Sequence, residues 1–246
     1  MREFLLFRLY GPLAAWGEVA VGENRPSASH PSKSALLGLV AAALGIKRDQ
    51  EAQLKALNSG FCLGVRVDAA GELLRDYHTA QVPPQRRKVT HYTRGDELRG
   101  EGLYTILSSR DYRTDSYCSI ALWPSGQVDS FSLAEIQAAL LQPKLSLYLG
   151  RKSCPLGLPM APRLLQVATL KQAFDQYDEA NELLMEPITG ASVQRHYYWE
   201  QLDAEQAGIS TTMRFSRRDQ LTSRQRWQFS ERDEFYFSEQ HKEVPA

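Results

Sequence analysis

The 246-residue sequence predicts an α+β fold: a ferredoxin-like (RRM-like) sheet with one hairpin greatly extended, followed by a small β-rich C-terminal lobe. Three observations predict it. Alternating apolar residues mark strands at Glu3–Leu9 and Phe61–Val67, and capped apolar segments mark helices at Pro31–Ile46 and Ser132–Leu141. The element order is then strand, helix, strand, strand, strand, helix, strand, which is the split βαβ pattern.

Glu3–Leu9 alternates charged with apolar and aromatic residues and stops at the turn signal Gly11-Pro12. Pro31 stands at the entrance of the first helix, Ser32 can cap it, and Ala, Leu and Val fill nearly every later position up to Gly45. Such a helix is buried on most sides. In Phe61–Val67 the residues Phe61, Leu63, Val65 and Val67 share one face, and Leu73–Ala80 reads as a third strand. From Gln81 to Ser116 the chain is polar and basic with an apolar island at Leu103–Leu107, so it forms a long excursion before Tyr117–Trp123 resumes as a strand. Ser132 and Glu135 stand at capping-box spacing ahead of Leu133, Ile136, Ala139 and Leu140 on one helix face. Leu145–Leu149 follows as a strand. Beyond Pro155 come scattered prolines, an acidic stretch from Asp175 to Glu186, and short aromatic strands at Val193–Trp199, Trp227–Phe229 and Phe235–Phe237. The expected organisation is therefore a core over residues 1–160 and a smaller β-rich lobe over 161–246.

Composition narrows the functional classes. The 29 basic and 29 acidic side chains balance, so a polyanionic partner must be argued from local clusters of charge. Three distant cysteines, Cys62, Cys118 and Cys154, form no CxxC pair and leave one over, which disfavours a disulfide framework and a structural zinc site. They read as small buried hydrophobes of a reducing cytoplasm. No uncharged apolar run approaches the ~18 residues that span a bilayer, and the N-terminus lacks a signal-peptide pattern, so a soluble, cytoplasmic protein away from membranes is expected.

Local clusters of charge do occur. The loop Asn24–Ser34 offers Arg25, His30, Lys33 and Ser34 with further serines ahead of a helix N-terminus, a set that can bond phosphate oxygens; a capped helix behind a surface loop has the same pattern. The excursion interleaves Arg86, Arg87, Lys88, Arg94, Arg99, Arg110 and Arg113 with Tyr77, His78, His91, Tyr92, Tyr104 and Tyr112. Cations for the backbone and rings for stacking are what single-stranded RNA binding requires, although a solvated hairpin carries charge too. Gly150, Arg151, Lys152 and Ser153 follow a predicted strand, but neither a Walker pattern nor GxGxxG occurs, so no nucleotide-binding fold is expected. Tyr77, His78, Lys88 and His91 are the residues that can perform metal-independent RNA cleavage by general acid–base chemistry, with nothing in their spacing to fix the geometry. No His, Cys and carboxylate spacing fits a metal nuclease, and no cofactor is expected.

The segments LYGPLAAWG, RPSASHPSKSALLGLVAAALGI, RDYHT, SRDYRTDSYCSIALW and YLGRKSCPL, in this order and spacing, closely resemble the CRISPR-associated CasD family of type I-E Cascade complexes. The resemblance spans residues 1 to about 160, with RRDQLTSRQRWQF as a C-terminal counterpart. It implies a RAMP-superfamily core with a thumb-like hairpin at about Tyr77–Asp115. It also implies a non-catalytic subunit that grips the 5′ handle of the CRISPR RNA and contacts the backbone-forming CasC subunit and the large PAM-recognising subunit, meeting target DNA only through the complex. Carried onto this chain, the handle surface falls on Arg25–Ser34, on Tyr77, His78 and Thr79, on Arg110–Tyr112, and on Arg151, Lys152, Ser153 and Cys154. The type I-C relative is itself a processing ribonuclease, which makes cleavage of CRISPR repeat RNA the competing expectation. The chain departs from the family pattern in the Pro83-Pro84 and arginine-rich start of the hairpin and in the C-terminal lobe.

Overall fold

The structure is a computed structural model and describes residues 1–85, 89–126, 131–180 and 194–240. Its strands are β1 (Arg2–Ala14), β2 (Asn24–Arg25), β3 (Phe61–Ala69), β4 (Glu72–Val82), β5 (Tyr104–Pro124), β6 (Arg163–Val167), β7 (Gln194–Trp199), β8 (Met213–Ser223) and β9 (Gln228–Gln240). The helices are α1 (Lys33–Leu44), α2 (Glu51–Gly60), α3 (Arg94–Leu98), α4 (Leu133–Leu141), α5 (Leu170–Glu179) and a single turn, α6 (Ala204–Ala207). The fold is α+β, built on one large sheet in the order β6-β1-β5-β3-β7-β9-β8, with every neighbouring pair antiparallel.

Helices cover both faces of this sheet. On one face α1, α2 and α4 pack on Leu5, Phe7, Leu9 and on Phe61, Leu63, Val65 and Val67, the four residues expected to share a face. On the other, Leu170, Ala173, Phe174 and Tyr177 of α5 pack on Phe4, Leu6, Cys62 and Trp123. The predicted caps form: Ser32 accepts from the Ala35 amide, and Ser132 and Glu135 make a reciprocal capping box.

β5 organises the sheet because its 21 residues serve two purposes. β1 and β3 flank its inner half, β1 from Arg113 to Leu122 and β3 from Tyr117 to Pro124, and both faces are buried from Ser116 to Trp123. β4 pairs with its outer half over eleven registers, from Glu72 opposite Thr114 to Val82 opposite Tyr104, and this exposed two-stranded hairpin is the expected excursion. It departs from the sheet at Gly71, whose φ is +69°; a Cβ there would stand 2.0 Å from the Thr114 carbonyl oxygen.

Two expectations are corrected. The first strand does not stop at Gly11-Pro12 but runs to Ala14, with Gly11 opposite Ser116 and Leu13 opposite Thr114. Proline is tolerated because β6 pairs only with Arg2–Leu6, so no sheet strand needs an amide from Pro12. Leu145–Leu149 is not a strand: a lone bridge joins Tyr148 to Pro155, and the partner of β1 is β6. The alternating leucines are satisfied instead by packing Leu147 and Leu149 into the core from a turn. The C-terminal segment is built into the same sheet, with β6 on β1 and β7 on β3. No helix among the described residues is long and apolar enough to cross a membrane.

Gly71→Ala should lower stability by about 2 kcal/mol or more, because strain and a backbone clash coincide. Gly38→Ala, in α1 with open space around the added methyl, should raise it by roughly 0.5–1 kcal/mol. Urea unfolding of both variants checks the contrast.

Candidate nucleic-acid interface

Three segments that are far apart in sequence meet at Arg151. Gly150, with φ +84°, lies so close to β1 that a Cβ would stand 1.8 Å from the Ala15 carbonyl oxygen, while the Ala15 amide bonds the Leu149 carbonyl at 3.0 Å. This approach delivers Arg151 to the base of the hairpin, where its guanidinium donates to the carbonyls of Asp111 (3.2 Å) and Arg25 (3.3 Å) and lies 4.5 Å over the Tyr112 ring. Arg113 ties the same loop from the hairpin side by donating to the Ala28 carbonyl. β2 adds a short parallel pairing that sets Arg25 beside Arg110. The structure thus gathers Arg25, Arg110, Tyr112 and Arg151, with exposed Lys152 and Ser153 on the same turn.

A groove of about 710 Å³ opens beside this junction and runs along α1 from Ser34 to Ala42. Ser32, Ser34 and Gly38 line it together with Arg25 and Arg151, which are joined at the hairpin base, and with Lys47, Arg48, Arg224 and Trp227, of which the last three are in contact. Among the described residues Glu18 is the one acid in its lining. The far wall is the β8–β9 turn, held by Glu51, which accepts from the Arg224 and Gln225 amides, and by Asn58, which donates to the Leu221 carbonyl. Five cations around an apolar floor suit a polyanion that carries flat apolar groups.

His30 and Lys33 are not on this surface. Lys33 is 2 % exposed and its ammonium bonds Glu200 at 2.8 Å, while its amide donates to Asp219. His30 is stacked 3.7 Å from Tyr198 and shares Glu234 with Arg217 and Arg232. These two residues anchor the loop to the C-terminal hairpin instead of offering charge to a ligand. Cys154 is buried in the core, its thiol pushed up by desolvation.

A family model described as CRISPR-associated protein (Cas_Cas5) matches residues 4–234. The chain belongs to the Cas5 family. It is 35 % identical over 179 residues to the CRISPR system Cascade subunit CasD of Escherichia coli K12, which covers 72 % of this chain and 78 % of that protein. In fold it is similar to a chain of a solved CRISPR RNA-guided surveillance complex, at TM-score 0.60 and 24 % identity over 97 % of this chain and 90 % of the other. A crystal structure of a Cas protein matches at TM-score 0.58 and 23 % identity, covering 96 % and 94 %. The resemblance read from the motifs is borne out.

In this Cas5 chain the hairpin residues separate. Tyr77 and His78 are consecutive on β4 and so project to opposite faces; His78 pairs with Asp76, and Thr79 stands opposite Leu107. His91 is exposed near the hairpin tip, and Arg86, Arg87 and Lys88 lie outside the described residues. Among the described residues no three His, Cys, Asp or Glu side chains group as a metal site. Lys47, Arg48, Arg224 and Trp227 were absent from the sequence expectation. The last two fall in RRDQLTSRQRWQF, a basic segment with an aromatic, so their signal was present.

Burial opposes ionisation of Glu234, but the hydrogen bond from His30 and the charges of Arg217 and Arg232 outweigh it and hold its carboxyl down to about 2. A depressed carboxyl stabilises the fold above its unfolded value, near 4.3, and that contribution is lost as pH falls through the folded value. Stability should therefore decline from about pH 5 toward pH 2, and Glu234→Gln should flatten the decline in urea midpoints measured against pH.

Proposed function

We propose that this chain is a non-catalytic RNA-binding subunit of a type I-E CRISPR surveillance complex, holding the 5′ handle of the CRISPR RNA along the groove. The observation that carries the reading is the cationic groove, lined by Arg25, Arg151, Lys47, Arg48 and Arg224 with Glu18 as the single acid among the described residues. Arginine and lysine at this density supply the phosphate contacts that dominate affinity for a nucleic-acid strand. The likeness to the E. coli relative, a Cascade subunit, supports the assembly.

The core of the proposed RAMP subunit is the unit β1-α1-β3-β5-α4-β6. Its strand order β6-β1-β5-β3, antiparallel throughout, is what a ferredoxin-like sheet requires, and this supports the assignment. The β4–β5 hairpin, exposed along its length and carrying Leu73, Tyr77, Tyr104 and Ile106 on its surface, serves as the thumb that contacts the backbone subunit. Beyond β6, Leu221, Arg224, Trp227 and Phe229 of the C-terminal lobe wall the groove. Cleavage by Tyr77, His78, Lys88 and His91 is disfavoured because Tyr77 and His78 face apart and His78 is paired with Asp76.

Anisotropy titrations with handle-bearing RNA should show Arg25→Ala with Arg110→Ala weakening binding about tenfold and reducing the log-log salt slope by roughly 1 to 1.5. An unchanged slope would remove this pair from the handle site. In EDTA, CRISPR repeat RNA incubated with the pure protein should stay intact; specific cleavage lost in His78→Ala would establish the enzyme instead.

A further inference from the structure

The β8–β9 turn carries an exposed tryptophan that folding does not require. Trp227 is 60 % exposed, whereas Trp16, Trp123 and Trp199 are all buried. It sits at the tip of the turn with φ +52°, a backbone conformation uncommon for a bulky residue. The tip is nonetheless fixed: Glu51 grips the Arg224 and Gln225 amides at 2.8 and 3.1 Å, and the Ser223 hydroxyl accepts from the Arg226 amide. A rigid turn therefore holds an indole out at the mouth of the groove.

Two arginines converge on that ring. The Arg224 guanidinium lies 4.0 Å from the indole centroid and that of Arg48 lies 5.9 Å from it. Neither bonds a carboxylate; Glu51, the acid beside Arg224, is engaged by backbone amides. Burial and the nearby Arg48 charge both work against the Arg224 cation, and the neighbouring Glu51 and Tyr148 offset them only in part. Two like charges held together at an exposed aromatic match a ligand with an anion next to a flat ring.

We propose that Trp227, Arg48 and Arg224 form a second RNA subsite, in which one nucleobase stacks on the indole and the adjoining phosphate is held by the two guanidiniums. The proposal rests on the handle-binding reading and extends it, because Trp227, Arg48 and Arg224 line the same groove as Arg25 and Arg151. A single strand would then be gripped in two ways, by backbone contacts at the Arg151 junction and by stacking at the turn. A protein partner docking on Trp227 is the other occupant of such a surface. The two arginines over one indole and the continuity with the cationic groove favour RNA.

The test uses the full chain, handle-bearing RNA and an oligouridylate of the same length. Since three of the four tryptophans are buried, direct quenching by a bound base reports chiefly on Trp227. RNA should quench this emission, and the quench should vanish in Trp227→Phe while affinity is largely kept. Trp227→Ala should weaken binding roughly tenfold or more, and Arg48→Ala with Arg224→Ala should lower the salt slope by about 1. Wild-type affinity in Trp227→Ala, or quenching that persists in Trp227→Phe, overturns the subsite while leaving the handle reading intact. So does a Trp227→Ala chain that binds RNA normally but fails to join neighbouring subunits. If neither RNA binds the unmodified chain, both readings fall together.

Discussion

The site depends on how closely the turn at residues 148–155 lies on the first strand. Glycine at position 150 is the condition for that approach, since any side chain there would collide with the Ala15 carbonyl. The approach carries Arg151 to the hairpin base, where it satisfies two carbonyls and covers Tyr112. Charge delivered in this way is fixed in place before a ligand arrives, so less ordering entropy is lost on binding. Part of the basic character read from the sequence is therefore structural: Arg113 and Arg151 first hold the loop, and the loop then presents Arg25.

A second set of charges joins the ends of the chain. Lys33 with Glu200, and His30 with Glu234, Arg217 and Arg232, link the entrance of α1 to β7–β9 across a water-poor interior. Removing one member of such a network leaves its partner charged and buried, which typically costs about 3–5 kcal/mol. The network fixes the β8–β9 turn relative to α1, and the groove is the space between them. The C-terminal segment accordingly completes the site that the first half begins.

Much of the core was legible in the sequence because its signals are local. The caps of α1 and α4 and the apolar face of β3 are set by neighbours within a few residues, and all three form as expected. The long hairpin was legible as a polar excursion. α5 was hidden because Asp175 to Glu186 reads first as an acidic stretch, although Leu170, Ala173, Phe174 and Tyr177 keep helical spacing toward the core. β8 is mostly polar and exposed, so no alternation announces it; its place comes from pairing with β9. The fate of Lys33 was not legible either, because Glu200 stands 167 residues away and only the fold brings the two charges together.

The central claim is that RNA runs along the groove between α1 and the β8–β9 turn. Photocrosslinking of an assembled complex, with a photoreactive uridine placed in turn at each handle position, tests it most directly. Crosslinks are expected to peptides containing Arg25, Arg48, Arg151 and Trp227, with successive handle positions reaching different peptides. Crosslinks confined to the hairpin tip, or to the sheet face covered by α5, would contradict it.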